Sequence, residues 1–113
     1  MERIKVKVKY FTMLRDLVGR REVEYEVEKG MSLIDFLYYY LPKKHAQIAR
    51  KFRETIFQRD EKGRIKLEKG KPVLEYFYTI LVNKENIRRG YRNLEYILQD
   101  GDIITILPPA GGG

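Results

Sequence analysis

Leu98-Gln99-Asp100-Gly101-Asp102-Ile103-Ile104-Thr105-Ile106-Leu107 runs straight into Pro108-Pro109-Ala110-Gly111-Gly112-Gly113, and the fold is read from this stretch. The Asp-Gly pair marks a tight turn, and the short apolar run behind it reads as a buried strand. Proline fixes its own backbone angle and favours an extended path, so Pro108 and Pro109 project the glycine segment away from the strand. Glycine lacks Cβ, so Gly111, Gly112 and Gly113 can pass through a channel too narrow for any side chain. Six extended residues reach about 20 Å at most. A run of glycines taken alone also fits a frayed end or a leftover linker. A frayed end, however, needs no mount on a core strand.

The other end of the chain supplies partners for that strand. Ile4, Val6, Val8 and Tyr10 alternate with Lys5, Lys7 and Lys9, the period of a strand with one wet face. Thr12 is expected to cap a short helix that turns Leu14, Leu17 and Val18 inward and ends at Gly19. Val23, Tyr25 and Val27 then alternate with Glu22, Glu24, Glu26 and Glu28, a second strand whose acids can sit beside the lysines of the first. Ser32, with Asp35 three residues on, opens the main helix over 33 to 41, with Leu33, Phe36, Leu37, Tyr40 and Leu41 on one face. Pro42 is expected to stop it. Of the tyrosines at 38 to 40, Tyr40 is read as core and the others as surface.

From 43 to 76 the pattern suggests an inserted helix with Ile48, Phe52 and Ile56 on one face, then a polar turn and a hairpin. A β-rich run over 78 to 82, a turn over 83 to 86 and a short connection over 94 to 98 lead back to the last strand. Two strands, a helix and two further strands make an α+β fold, the β-grasp or ubiquitin-like arrangement, with a mixed sheet packed on one main helix. Residues 1–113 are read as one domain, with the insertion at about 43–76 and the tail at 108–113.

These residues carry a family resemblance. Leu98, Asp100, Gly101, Asp102, Pro108, Pro109, Gly112 and Gly113, together with residues 4–19 and Val82-Asn83, resemble the MoaD/ThiS group of ubiquitin-like sulfur carriers, above all its molybdopterin synthase small subunits. The resemblance implies that an E1-like adenylating enzyme uses MgATP to activate Gly113, and that a sulfurtransferase then makes it a thiocarboxylate. The large subunit of molybdopterin synthase would receive the tail, with Gly111 and Gly112 as the thin approach and Pro108 and Pro109 as its base. Phe11 and Leu107 would form an apolar docking face, with Ile87 a weaker contributor. Ordinary strand or core packing also explains these three side chains, and for Ile87 it is the preferred reading. The ending departs from the family at Ala110-Gly111, where valine followed by alanine or threonine is usual, so the motif does not by itself fix the partner.

Composition bounds the alternatives. The chain has 113 residues, 43% of them hydrophobic, enough for one modest core. It has no cysteine and a single histidine, His45, read as a helix surface residue, so thiol nucleophiles, thiolate metal sites and histidine triads have nothing to draw on. No metal site and no tightly bound cofactor are expected. No Gly-x-x-x-x-Gly-Lys phosphate loop is present, so the chain cannot activate its own carboxylate by that route. A net charge of +7 favours acidic partners, but the basic residues are interleaved with acids and read as a solvated surface rather than a nucleic-acid site. The composition suits a heat-adapted protein. With neither a spanning stretch nor a signal-like start, a cytoplasmic address is expected. Two other uses of the same fold stay open: a modifier joined to lysines through Gly113, and a basic RNA-binding β-grasp module.

Overall fold

β7 (Ile103–Leu107) lies at the middle of a five-stranded mixed sheet of order β2-β1-β7-β5-β6 in the computed structural model, which describes residues 2–88 and 93–109. β1 (Arg3–Tyr10) pairs antiparallel with β2 (Glu22–Glu28) and parallel with β7, while β5 (Thr79–Val82) closes on the other side of β7, antiparallel. This is the β-grasp arrangement that the element order predicts. The alternation in β1 is realised residue by residue: Ile4, Val6, Val8 and Tyr10 are buried, and Lys5, Lys7 and Lys9 stand opposite Glu26, Glu24 and Glu22 on β2. These opposed charges, among which Lys7 Nζ comes within 3.8 Å of Glu22, fix register more than they add stability.

Between β1 and β2 runs α1 (Thr12–Val18), which ends at Gly19 with φ +84, the left-handed conformation that glycine reaches without strain. Thr12 does not cap it. The residue before the helix is Phe11, no side chain caps the first turn, and Thr12 itself sits at φ 46. A β-branched residue there is strained, so the β1–α1 corner is held by its surroundings rather than by local preference.

The main helix crosses the sheet face as three continuous segments: α2 (Leu33–Asp35), a π-helical stretch (Phe36–Tyr40) and α3 (Leu41–Lys44). Ser32 caps it as expected, its Oγ accepting from the Asp35 amide at 3.2 Å. Two further orphan amides at this end, those of Leu33 and Ile34, donate to the carbonyls of Tyr96 and Leu94. Pro42 does not end the helix. It has no N–H to give to the Tyr38 carbonyl one turn back, and its ring would crowd that oxygen. The helix instead widens, Leu41 N–H bonding the Phe36 carbonyl, and the freed Tyr38 oxygen accepts from Arg53 Nε at 2.8 Å. Leu33, Phe36, Leu37 and Leu41 are fully buried against the sheet.

α4 (Ala49–Ile56) follows a 3₁₀ turn and buries Phe52 and Ile56. Isolated bridges Phe57–Leu74 and Arg59–Ile65, then β3 (Leu67–Glu68) paired with β4 (Lys71–Pro72), make the hairpin of the 43–76 region. Of the tyrosine triplet, Tyr39 is 59% exposed, whereas Tyr38 is half-buried with its ring edge on Phe57 and Arg53 over its face. Tyr40 is also half-buried and donates to the Glu26 carbonyl. β6 (Glu85–Asn86) returns from β5 through Asn83 and Lys84, at φ 51 and 76, the double left-handed turn that a two-residue hairpin uses.

Candidate functional site: the mount of the C-terminal segment

The strand that carries the last residues is held from both sides. Tyr10 stands opposite Ile106, so Phe11 begins where the tail leaves β7; Thr79 stands opposite Leu107, so Phe77 and Tyr78 lie at the same exit on the other side. At the far end of β7, Gly101 takes φ +85 and donates to the Lys5 carbonyl, while Asp100 Oδ1 accepts from the Lys5 amide at 2.8 Å. The turn is thereby tied to β1 before the strand begins.

Asp102 is the anchor of this turn. It is 4% exposed, and its carboxylate accepts from Asn83 Nδ2 at 2.7 Å, Tyr96 Oη at 2.8 Å and the Gln99 amide at 2.8 Å. Asn83 in turn accepts from the Ile103 amide at 2.8 Å through its Oδ1. The Val82-Asn83 and Asp-Gly-Asp signals, separate in the sequence, are one hydrogen-bonded lock that fixes β5 against the start of β7. A buried carboxylate with three donors is satisfied, and removing it would strand all three.

Phe11 is 38% exposed, Leu107 is half-buried, and Pro108 and Pro109 are half-buried along a groove. Met13 and Arg15 from α1, Lys51 and Glu54 from α4, and Phe77 form its walls. Ile87 belongs elsewhere: it is 5% exposed, its amide bonds the Ile80 carbonyl, and its side chain is part of the core, so it offers no docking surface. Gly111, Gly112 and Gly113, with Ala110, lie outside the described residues. Phe77 and Met13, each 51% exposed, are side chains that the sequence pattern does not single out. Phe77 sits among aromatics at the mouth of a β-rich run, and only the register with β7 places it at the tail exit.

His45 is not a free surface residue. Its Nε2 lies 2.6 Å from Tyr25 Oη, which lies 2.6 Å from Tyr10 Oη in the core. With His45 neutral and Nε2 unprotonated, Tyr25 donates to the imidazole and Tyr10 to Tyr25, so both hydroxyl protons have an acceptor. Burial pushes the Tyr25 phenol up to about 12 and lowers the His45 pKa. Among the described residues no group of three His, Cys, Asp or Glu side chains could hold a metal, and no helix is long and apolar enough to cross a membrane.

Comparison with known proteins places this architecture. The ThiS family model matches residues 8–113, and the chain belongs to that family. Among solved structures, it resembles small archaeal modifier protein 1 from Methanosarcina acetivorans over 100% of both chains, at 36% identity and a TM-score of 0.68. A candidate molybdopterin converting factor subunit 1 from Pyrococcus furiosus aligns over 95% of this chain and 99% of its own, at 28% identity and a TM-score of 0.59. The BexX/CysO complex from Amycolatopsis orientalis contains a chain that is 27% identical, with a TM-score of 0.59 over 96% of this chain and 99% of that one. No curated protein sequence matches.

Proposed function

We propose that this protein is a sulfur carrier whose terminal glycine, Gly113, is adenylated and converted to a thiocarboxylate, and that it delivers this sulfur to molybdopterin synthesis as a synthase small subunit. The observation that carries the reading is the mount: a Pro-Pro-Ala-Gly-Gly-Gly segment leaving the central strand of a ThiS-family fold. A carboxylate is a poor electrophile. ATP, used with magnesium by an E1-like partner, converts it to an acyl adenylate with release of pyrophosphate; hydrosulfide, freed from the persulfide of a sulfurtransferase by a thiol reductant that ends as a disulfide, then displaces AMP. Gly113 supplies the reacting carbonyl, Gly111 and Gly112 the thin approach, and Pro108 and Pro109 the stiff base. Phe11 and Leu107 contribute to the face on which the activating enzyme and the synthase large subunit sit. Likeness to the Pyrococcus converting-factor subunit supports the molybdopterin branch. The reading also assigns the protein to the cytoplasm of a heat-adapted cell; melting at about 50 °C, ordinary for mesophile domains, counts against the latter.

Likeness to the Methanosarcina modifier at 36% identity favours a second use, attachment of Gly113 to lysines of other proteins. The two uses share activation and differ in the acceptor. Incubation with the adenylating enzyme, MgATP and a sulfur source is expected to raise the intact mass by about 16 Da, the exchange of oxygen for sulfur. A chain lacking Gly112 and Gly113 should melt at the same temperature and gain nothing. No mass gain on the intact chain rejects the carrier reading, and cellular lysines that carry residues 93–113 of this chain after trypsin, Arg92 being its last basic residue, without a pterin-cofactor defect assign the modifier use.

A further inference from the structure

Any enzyme that acts on the carbonyl of Gly113 must cover the tail exit, because its reach is short. The segment from Ala110 to Gly113 is four residues, about 14 Å when fully extended. The partner's surface therefore lies over the groove along Pro108 and Pro109, where Phe77 stands 51% exposed. The loop that presents Phe77 is held from outside. Arg88 donates from Nη1 to the Tyr76 carbonyl at 2.7 Å and from Nη2 to the Glu75 carbonyl at 2.8 Å, and its guanidinium sits 5.9 Å from the Tyr76 ring centre. Arg88 is steered in turn by its own amide, which donates to Asn86 Oδ1 at 2.9 Å. A guanidinium that grips two successive carbonyls fixes the path of the chain into Phe77 before any partner arrives, which lowers the ordering cost of association. A pre-ordered aromatic ring beside a charged rim has the anatomy of a docking hot spot.

We infer that Phe77 is a specificity-determining residue through which the adenylating enzyme that acts on Gly113 selects this chain, with Arg88 as its positioning residue. The inference rests on the carrier reading. The activating enzyme is the occupant because sulfur transfer and lysine conjugation both pass through activation of the same carboxylate. Around Phe77 the groove carries Arg15, Lys51 and Arg59 against Asp16 and Glu54, so the matching surface is an apolar pocket with acidic groups at its edge.

Pyrophosphate release by the E1-like adenylating enzyme of the same organism, with MgATP and the full chain as varied substrate, tests this. Phe77→Ser is expected to raise KM about tenfold with kcat within about twofold and an unchanged melting temperature, and Phe77→Tyr to restore KM. Arg88→Ala should raise KM about threefold in the same way. A chain lacking Gly112 and Gly113 should compete with the parent, and adding Phe77→Ser to it should abolish the competition. If the parent turns over and the KM of Phe77→Ser stays within about twofold, the inference is overturned while the carrier reading stands. A parent that releases no pyrophosphate overturns the carrier reading, and this inference with it. A dimer of the chain that Phe77→Ser dissociates assigns the loop to self-association and also overturns it.

Discussion

At the scale of single residues, two aspartates one glycine apart have different work. Asp100 is exposed and, among the described residues, accepts from the Lys5 amide, whereas Asp102 is buried and accepts from Asn83, Tyr96 and Gln99. Asp102→Ala leaves three donors without an acceptor and is expected to cost about 3 kcal/mol or more; Asp100→Ala should cost about 1 kcal/mol. Urea denaturation of the two variants checks the contrast, and equal losses would dissolve it. His45 yields a pH prediction. Its folded pKa lies below the ordinary 6.5, so above that pH folded and unfolded states are both neutral. As pH falls, the unfolded chain takes up the proton first, and stability drops until the folded state protonates too. His45 is the only histidine, so the slope in melting temperature between about pH 7 and pH 5 is assigned to it. His45→Gln, which can still accept from Tyr25, should flatten that slope.

At the scale of elements, strands are legible in the sequence and joints are not. Alternation in 4–10 and 22–28 gives β1, β2 and their charge register, because the period of two is local and one face is wet. Ser32 and Asp35 announce the helix start for the same local reason. Pro42 reads as a stop only because the remedy lies outside its own segment: a guanidinium from α4 takes the carbonyl that proline cannot serve. Thr12 and His45 mislead likewise, since a strained corner and a tyrosine partner on another strand leave no mark nearby. The Pro42 account is testable by a cycle. Arg53→Met should cost about 1–2 kcal/mol in the parent by stranding the Tyr38 oxygen, and less in Pro42→Ala, where the restored amide can bond that oxygen. Equal costs in both backgrounds would break the link.

At the scale of the whole molecule, the mount is visible in the sequence but the rim around it is not. Leu98 to Pro109 is contiguous and can be read directly; Phe77 and Arg88 join the tail exit only through the pairing of β5 with β7. Ile87, the docking candidate for which core packing is preferred from the sequence, is core, with its amide bonded to the Ile80 carbonyl on β5. The parallel pairing of β1 with β7 joins the two ends of the polypeptide side by side at the centre of the molecule. A pull on the tail loads those hydrogen bonds along the strand direction, where several must rupture together, rather than peeling them one at a time. Any pull on the C-terminal end therefore meets its greatest mechanical resistance at the first strand it reaches, before the rest of the sheet is loaded.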